Sequence, residues 1–347
     1  MIIKRDGSVW STGFNLCSQL GDGSVAGRSS FVQVISSNAE AVAAGYCHSM
    51  VLKKDGSLWA TGTNVYGQHG DGSGVGRKRF VQVISSGLKA VTAGGWHSMV
   101  MGRDGSVWTA GSNYDGQLGD GSYTDRKSFV KVVSSGATAV SAGADYSMVL
   151  KQDGSVWSAG RNYNGQLGDG SNTARNLFTQ VIAGSVNALA AGSAHNIVLK
   201  QDGSVWATGW NDNGQLGDGS TIDKTTYAQV IASNAKAVAA GSRHSIVLKQ
   251  NGAVLMTGSN SKGQLGYGSK TGGNTVFVQV ISSHVQAVAA GIAHTMVLKR
   301  DGSLWATGWN EYGQLGDGSV SDRTIFVNVA QINDGKMQDG TVRDVSV

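Results

Sequence analysis

No proline occurs in these 347 residues, and only two cysteines do. Without proline the chain reversals fall to other residues, and 52 glycines are there to make them. Glycine enters left-handed backbone without a steric penalty, so this density points to many tight turns between short strands. Cys17 and Cys47 are too few for a disulfide framework in a chain of this size, and the expectation is two free, reduced thiols. No run of five like charges occurs, which argues against a polybasic membrane patch or a nucleic-acid-binding tail. No stretch approaches 18 consecutive apolar residues, so no transmembrane helix is expected. The opening MIIKRDGSVW is charged by its fourth residue and lacks the apolar centre of a signal peptide. These absences together favour the cytoplasm or nucleus and a chain with no membrane partner. The net charge of +5 adds a weak long-range preference for an acidic partner surface.

What is present is repetition. The phrase DGSVWATGWNDNGQLGDGS at 202–220 recurs in close variants along the chain. The residue that follows DGSx is Trp10, Trp59, Trp108, Trp157, Trp206, Leu255 and Trp305, at steps of 49 with a final step of 50. The glutamine of GQLG keeps the same phase at Gln19, Gln68, Gln117, Gln166, Gln215, Gln264 and Gln314. Seven units of this length mark a propeller or a solenoid. Within a unit, SMVLKKDGSLWATG (49–62) holds two β-prone runs around an Asp-Gly turn, FVQVI is a third strand and AVAAG a fourth. Runs such as Met50-Val51-Leu52 are apolar on both sides, as expected where a blade is sandwiched between two others. The Ala/Gly strand suits the crowded centre, where blades converge. Alignment of the units sets Met1 level with Met50 and VRDVSV (342–347) level with AEAVAA (39–44). The expected architecture is therefore all-β, one seven-bladed β-propeller over 1–347. It has four antiparallel strands per blade, and the N- and C-terminal strands share one blade to close the ring.

The combined pattern AAGxxHS-MVLKxDGSVWATGxNxxGQLGDGS resembles the regulator of chromosome condensation repeat over essentially the whole chain. The resemblance implies a seven-bladed propeller. It does not imply one activity, because that family includes the nucleotide-exchange factor for the GTPase Ran, a plant UV-B photoreceptor and repeats within ubiquitin ligases. A secreted propeller inhibitor of β-lactamases is similar in outline. Function must then be argued from sites. The photoreceptor needs successive Gly-Trp-Arg-His-Thr motifs, whereas GGWHS and GSRHS occur once each here. A Ran-type wedge needs an expanded blade. The candidates are one extra residue in GYGSKTGGNT (266–275) and the longer AQINDGKMQDGT (330–341). An inhibitor of a secreted enzyme would need an export signal.

Among chemistry-bearing residues, His48, His97, His195, His244 and His294 occupy equivalent positions, with Tyr146 in a sixth. Residues a blade apart cannot converge on one zinc ion, and a tyrosine substitute fits repeated hydrogen bonding better. The GDGS aspartates offer one carboxylate per loop where calcium wants six to eight oxygens, so turn chemistry is expected. Six residues beyond each stands Arg28, Arg77, Arg126, Arg175, Lys224 or Arg323. This basic ring reads either as local Asp–Arg pairs or as a rim that meets an acidic partner. No nucleophile constellation, phosphate-binding loop or cofactor motif departs from the repeat, so no catalytic residue, metal or cofactor is assigned. The informative positions are those the repeat leaves variable, in GxxH and in xNxxGQ. Trp, Arg and Tyr there are the residue types that dominate interface energetics. Trp96, Arg161, Trp210, Arg243 and Trp309 are the expected contact residues. The functional expectation is a monomeric, non-enzymatic module that binds a protein through one loop face. The alternative is a guanine-nucleotide exchange regulator of a small GTPase.

Overall fold

Alternating short strands and glycine turns fold here into radial sheets. The computed structural model describes residues 1–331, and no helix occurs among them. Blade 2 shows the unit: Ala39–Ala44, His48–Lys53, Leu58–Gly62 and Arg77–Ile84 pair antiparallel in sequence order. Blades 3 to 7, over 88–133, 137–182, 186–231, 235–281 and 285–331, repeat it. Blade 1 contributes Ile2–Ile3, Val9–Gly13 and Arg28–Ile35. Its innermost strand, expected at 342–347, lies outside the described residues, as does 332–341 of the second expansion.

The ring is nonetheless joined between blades 7 and 1. Thr12 Oγ1 donates to the Gly313 carbonyl at 2.8 Å, and the Gly318 amide to the Ser29 carbonyl at 2.8 Å. Ile2 packs with Met296, Leu298, Leu304 and Leu315 in one buried cluster.

Side-chain size sorts the strands by radius. The first strands of blades 2 to 7, rich in Ala, lie against one another in turn, while the outer strands stand apart. The second strand is buried on both faces, His48 through Leu52 in blade 2, because neighbouring blades cover both sides. At its end Lys53 leaves the core and sets its Nζ 3.9 Å from the Trp59 ring centroid, with the indole Nε1 donating to Ser57 Oγ at 3.1 Å. The same stack recurs at Lys4/Trp10, Lys151/Trp157, Lys200/Trp206 and Lys299/Trp305. The repeated tryptophans thus finish the hairpins of one face.

The phrase GQLGDGS has a different task. The loop from third to outer strand reaches over the next blade, where the Gly23 amide donates to the Lys78 carbonyl at 2.8 Å. Gly72, Gly121, Gly170, Gly219, Gly268 and Gly318 repeat this bond to Lys127, Asn176, Thr225, Thr275, Thr324 and Ser29. Gly116 shows why glycine is required: φ is +78°, and a Cβ would stand 2.7 Å from Asn176 Cα.

Because the strands alternate in direction, the first-to-second turns (GxxH) and the third-to-fourth loops (xNxxGQLGDGS) emerge on one face. The DGS hairpins and the links between blades emerge on the other. No helix among the described residues is long and apolar enough to cross a membrane.

Candidate functional site

The loop face is a rigid frame with a few unconstrained positions. In blade 2 the buried Asn64 accepts from the His69 amide at 2.8 Å and donates to Asp71 Oδ1 at 3.1 Å, while Gln68 Oε1 accepts from the Tyr66 amide at 3.1 Å. Blade 5 repeats this with Asn211, Leu216, Asp218, Gln215 and Asn213. Amide side chains therefore hold the loop backbone from inside. The residue before the Asn and the two after it are left to vary.

The histidine ring is internal architecture. His97 Nε2 lies 2.9 Å from Ser147 Oγ of the next blade, and that hydroxyl donates to the Gln117 carbonyl at 2.7 Å. With its proton committed, the serine must accept from Nε2–H, which sets the tautomer. His195–Ser245–Gln215 and His244–Thr295–Gln264 repeat the relay. Burial lowers the pKa to about 4 for His97 and about 3 for His195, so both are neutral near pH 7. Tyr146 keeps the inter-blade role through a 2.6 Å bond from its hydroxyl to the His195 carbonyl.

The basic ring is tied down locally. Arg28, Arg77, Arg126, Arg175, Lys224 and Arg323 sit 2.6, 3.7, 2.6, 2.8, 3.3 and 2.6 Å from the aspartate of their own GDGS loop. Asp22 is typical, accepting from the Ser24 amide and hydroxyl, Asn15 Nδ2 and Arg28 Nε. Burial by itself would raise its pKa, but these donors outweigh it and hold the carboxyl below its usual value. Such a carboxylate has little capacity left for a cation, and each cation of the ring has a neighbour that neutralises it.

The five expected contact residues all lie on the loop face, in separate groups. Trp96 packs edge-on against Tyr46 and Tyr66, with centroids 6.4 and 5.6 Å apart. Arg161 pairs with Asp145 at 3.3 Å and lies 5.1 Å over Tyr163. Trp210 and Arg243 do meet, with the guanidinium 5.0 Å from the indole centroid. Trp309 stands edge-on to Tyr312 at 5.3 Å, which in turn meets Phe14 at 4.9 Å. Trp309 Nε1 donates to Glu311 at 3.1 Å. The partners Tyr46, Tyr66, Phe14 and Tyr312 stand at the variable loop positions but are not among the five expected contact residues. Their signal was variability at the same loop positions.

One inter-blade register recurs on this face. The second residue after the Asn in one blade faces the residue before the His in the next: Tyr66 meets Trp96, and Cys17 meets Cys47. The expectation of two free thiols is corrected here. Cys17 and Cys47 are joined, with Cα atoms 5.4 Å apart, because ring closure brings together loops 30 residues apart in sequence.

Models of the regulator of chromosome condensation (RCC1) repeat match 39–68, 88–117, 137–166, 186–215, 235–264 and 285–314, and in a second version 104–150, 153–199, 202–248 and 251–298. Among solved structures, human WBSCR16 aligns with TM-score 0.85 and 21% identity, covering 94% of each chain. Prp20p from Saccharomyces cerevisiae, studied for its binding to Gsp1p and histones, aligns with TM-score 0.82 and 18% identity, covering 95% of this chain and 87% of that one. Yeast RCC1 (Prp20) bound to Kap60 aligns with TM-score 0.81 and 18% identity, covering 95% and 85%. At these identities the likeness is one of fold. No curated protein matches by sequence.

Proposed function

Because the chain belongs to the regulator of chromosome condensation (RCC1) repeat family, we propose that it is a non-enzymatic propeller that holds a protein partner on its loop face. The observation that supports this most is where variability falls. Trp96, Arg161, Trp210, Arg243 and Trp309 stand on one face; the loops of Arg161, Trp210 and Trp309 have backbones clamped by buried Asn and Gln, and Trp96 and Arg243 stand on the adjoining GxxH turns. A rigid frame that presents aromatic and guanidinium groups loses little conformational entropy on binding. The contacts of these side chains are with other variable loop residues, so the repeat does not need them to close the ring. Family relatives make protein partnership a natural use of such a face, since Prp20p is described with Gsp1p, histones and Kap60.

The test is a binding measurement on the Trp210→Ala/Trp309→Ala variant with a partner captured by the intact protein. Affinity should fall at least thirtyfold, about 2 kcal/mol, as expected for central aromatic anchors. The melting temperature should hardly move. Unchanged affinity, or collapse of the fold, would remove these residues from the binding face.

A further inference from the structure

The loop face is not uniform around the ring. The first residue after the Asn is Leu16, Val65, Tyr114 and Tyr163 in blades 1 to 4, exposed by 72, 60, 82 and 59%. In blades 5 to 7 the same position holds Asp212, Ser261 and Glu311. The loop tolerates polar residues there, so packing does not demand the apolar ones. Four of them on consecutive blades form an arc of water-exposed hydrophobic surface of the kind that marks interaction sites.

The charge beside this arc is negative. At the inter-blade register where Cys17 meets Cys47 and Tyr66 meets Trp96, the next pair is Asp115 and Asp145. Two like charges replace two attractive contacts. Arg161 serves Asp145 at 3.3 Å, and no hydrogen bond or ion pair among the described residues reaches the Asp115 carboxylate. Partial burial and the Asp145 charge raise the Asp115 pKa against the pull of Arg161. One guanidinium thus pairs with Asp145, lies over Tyr163 and only attracts Asp115 from further off. The six cations bound to their own GDGS aspartates cancel in pairs, so the net charge of +5 resides on other side chains.

We propose that the blade 1 to 4 sector docks an extended basic segment of a protein partner, with a Lys or Arg at Asp115/Asp145 and apolar side chains on Tyr114 and Tyr163. This rests on the loop-face reading and gives the partner a sign opposite to the one suggested by the net charge. A partner cation there would supply the counter-charge that Asp115 lacks, which steers association as well as holding it.

The probes are three fluorescein-labelled dodecapeptides that share two leucines and carry four Arg, four Ser or four Glu, read by fluorescence anisotropy. The Arg peptide should bind at least tenfold more tightly than the other two. Asp115→Asn/Asp145→Asn and Tyr114→Ala/Tyr163→Ala should each weaken it about tenfold. The asparagine pair removes a repulsion, so its melting temperature should hold and separate lost binding from lost fold. The proposal is overturned if the Arg peptide shows no preference, or if neither variant changes its affinity. Loss of binding in Trp210→Ala/Trp309→Ala alone would overturn it too, while leaving the broader loop-face reading intact.

Discussion

Single residues at the blade interfaces decide more here than their number suggests. Cys17 and Cys47 are the chain's two cysteines, and the ring sets them face to face across blades 1 and 2. A link that spans 30 residues should stabilise the fold by about 3.6 kcal/mol through the unfolded chain. Thiol titration of the denatured protein without reductant should read none, and Cys17→Ser/Cys47→Ser should unfold at lower denaturant. Two titratable thiols would mean that the pair is open. Disulfides persist in oxidising compartments, so the cytoplasmic or nuclear placement loses the support that free thiols lent it. The Asp–Arg pairs behave otherwise. Their cationic side chains are 35 to 41% exposed, so each contributes at most about 1 kcal/mol.

At the scale of the element, the third-to-fourth loop is the unit of assembly, and its glycines differ in kind from those of the links between blades. Gly87, in the link to blade 3, has φ +93°, and a Cβ there would meet nothing within 4 Å. Gly87→Ala should therefore cost only the backbone penalty, about 1–2 kcal/mol. Gly116 has φ +78° and would drive a Cβ to 2.7 Å from the Asn176 backbone of the next blade. Gly116→Ala adds a clash that only a shift of the clasp relieves, and should cost about 3 kcal/mol or more. Urea melts of the two variants check this ordering, and equal losses would show that the clasp is slack. The hairpin turns and the clasp glycines were legible in the sequence because each repeats in phase. Which neighbour a variable loop residue touches was not, since Tyr66 and Trp96 are 30 positions apart and meet only across a blade boundary.

For the whole molecule, the histidines make the ring sensitive to acid. Burial lowers the pKa of His48, His195 and His294 to about 3, and of His69, His97 and His244 to about 4, from the ordinary 6.5. Above pH 6.5 these imidazoles are neutral whether the chain is folded or not, and they add no pH dependence. As pH falls below 6.5 the unfolded chain takes up protons that the folded one refuses. Stability should then drop by about 1.4 kcal/mol per pH unit for each such histidine, down to its folded pKa. The GDGS carboxylates, with pKa values held below the usual 3.8, lose their contribution only at lower pH still. Melting temperature followed from pH 8 to pH 4 should be level at first and fall steeply below 6.5. His97→Gln should make that slope shallower by about one proton. A level profile to pH 4.5 would contradict a ring of buried neutral imidazoles.

The sequence by itself determined the period, the strand pattern, the propeller and the family, because each signal recurs in phase and local chemistry suffices to read it. Residues such as Trp206 and His195 could be assigned to structure on that ground alone. The tertiary structure decided what local chemistry cannot reach. It paired Cys17 with Cys47, gathered Trp96 with Tyr46 and Tyr66, and set Asp115 beside Asp145. Each of these depends on which loops the ring brings into register, and that distance is set by the blade spacing.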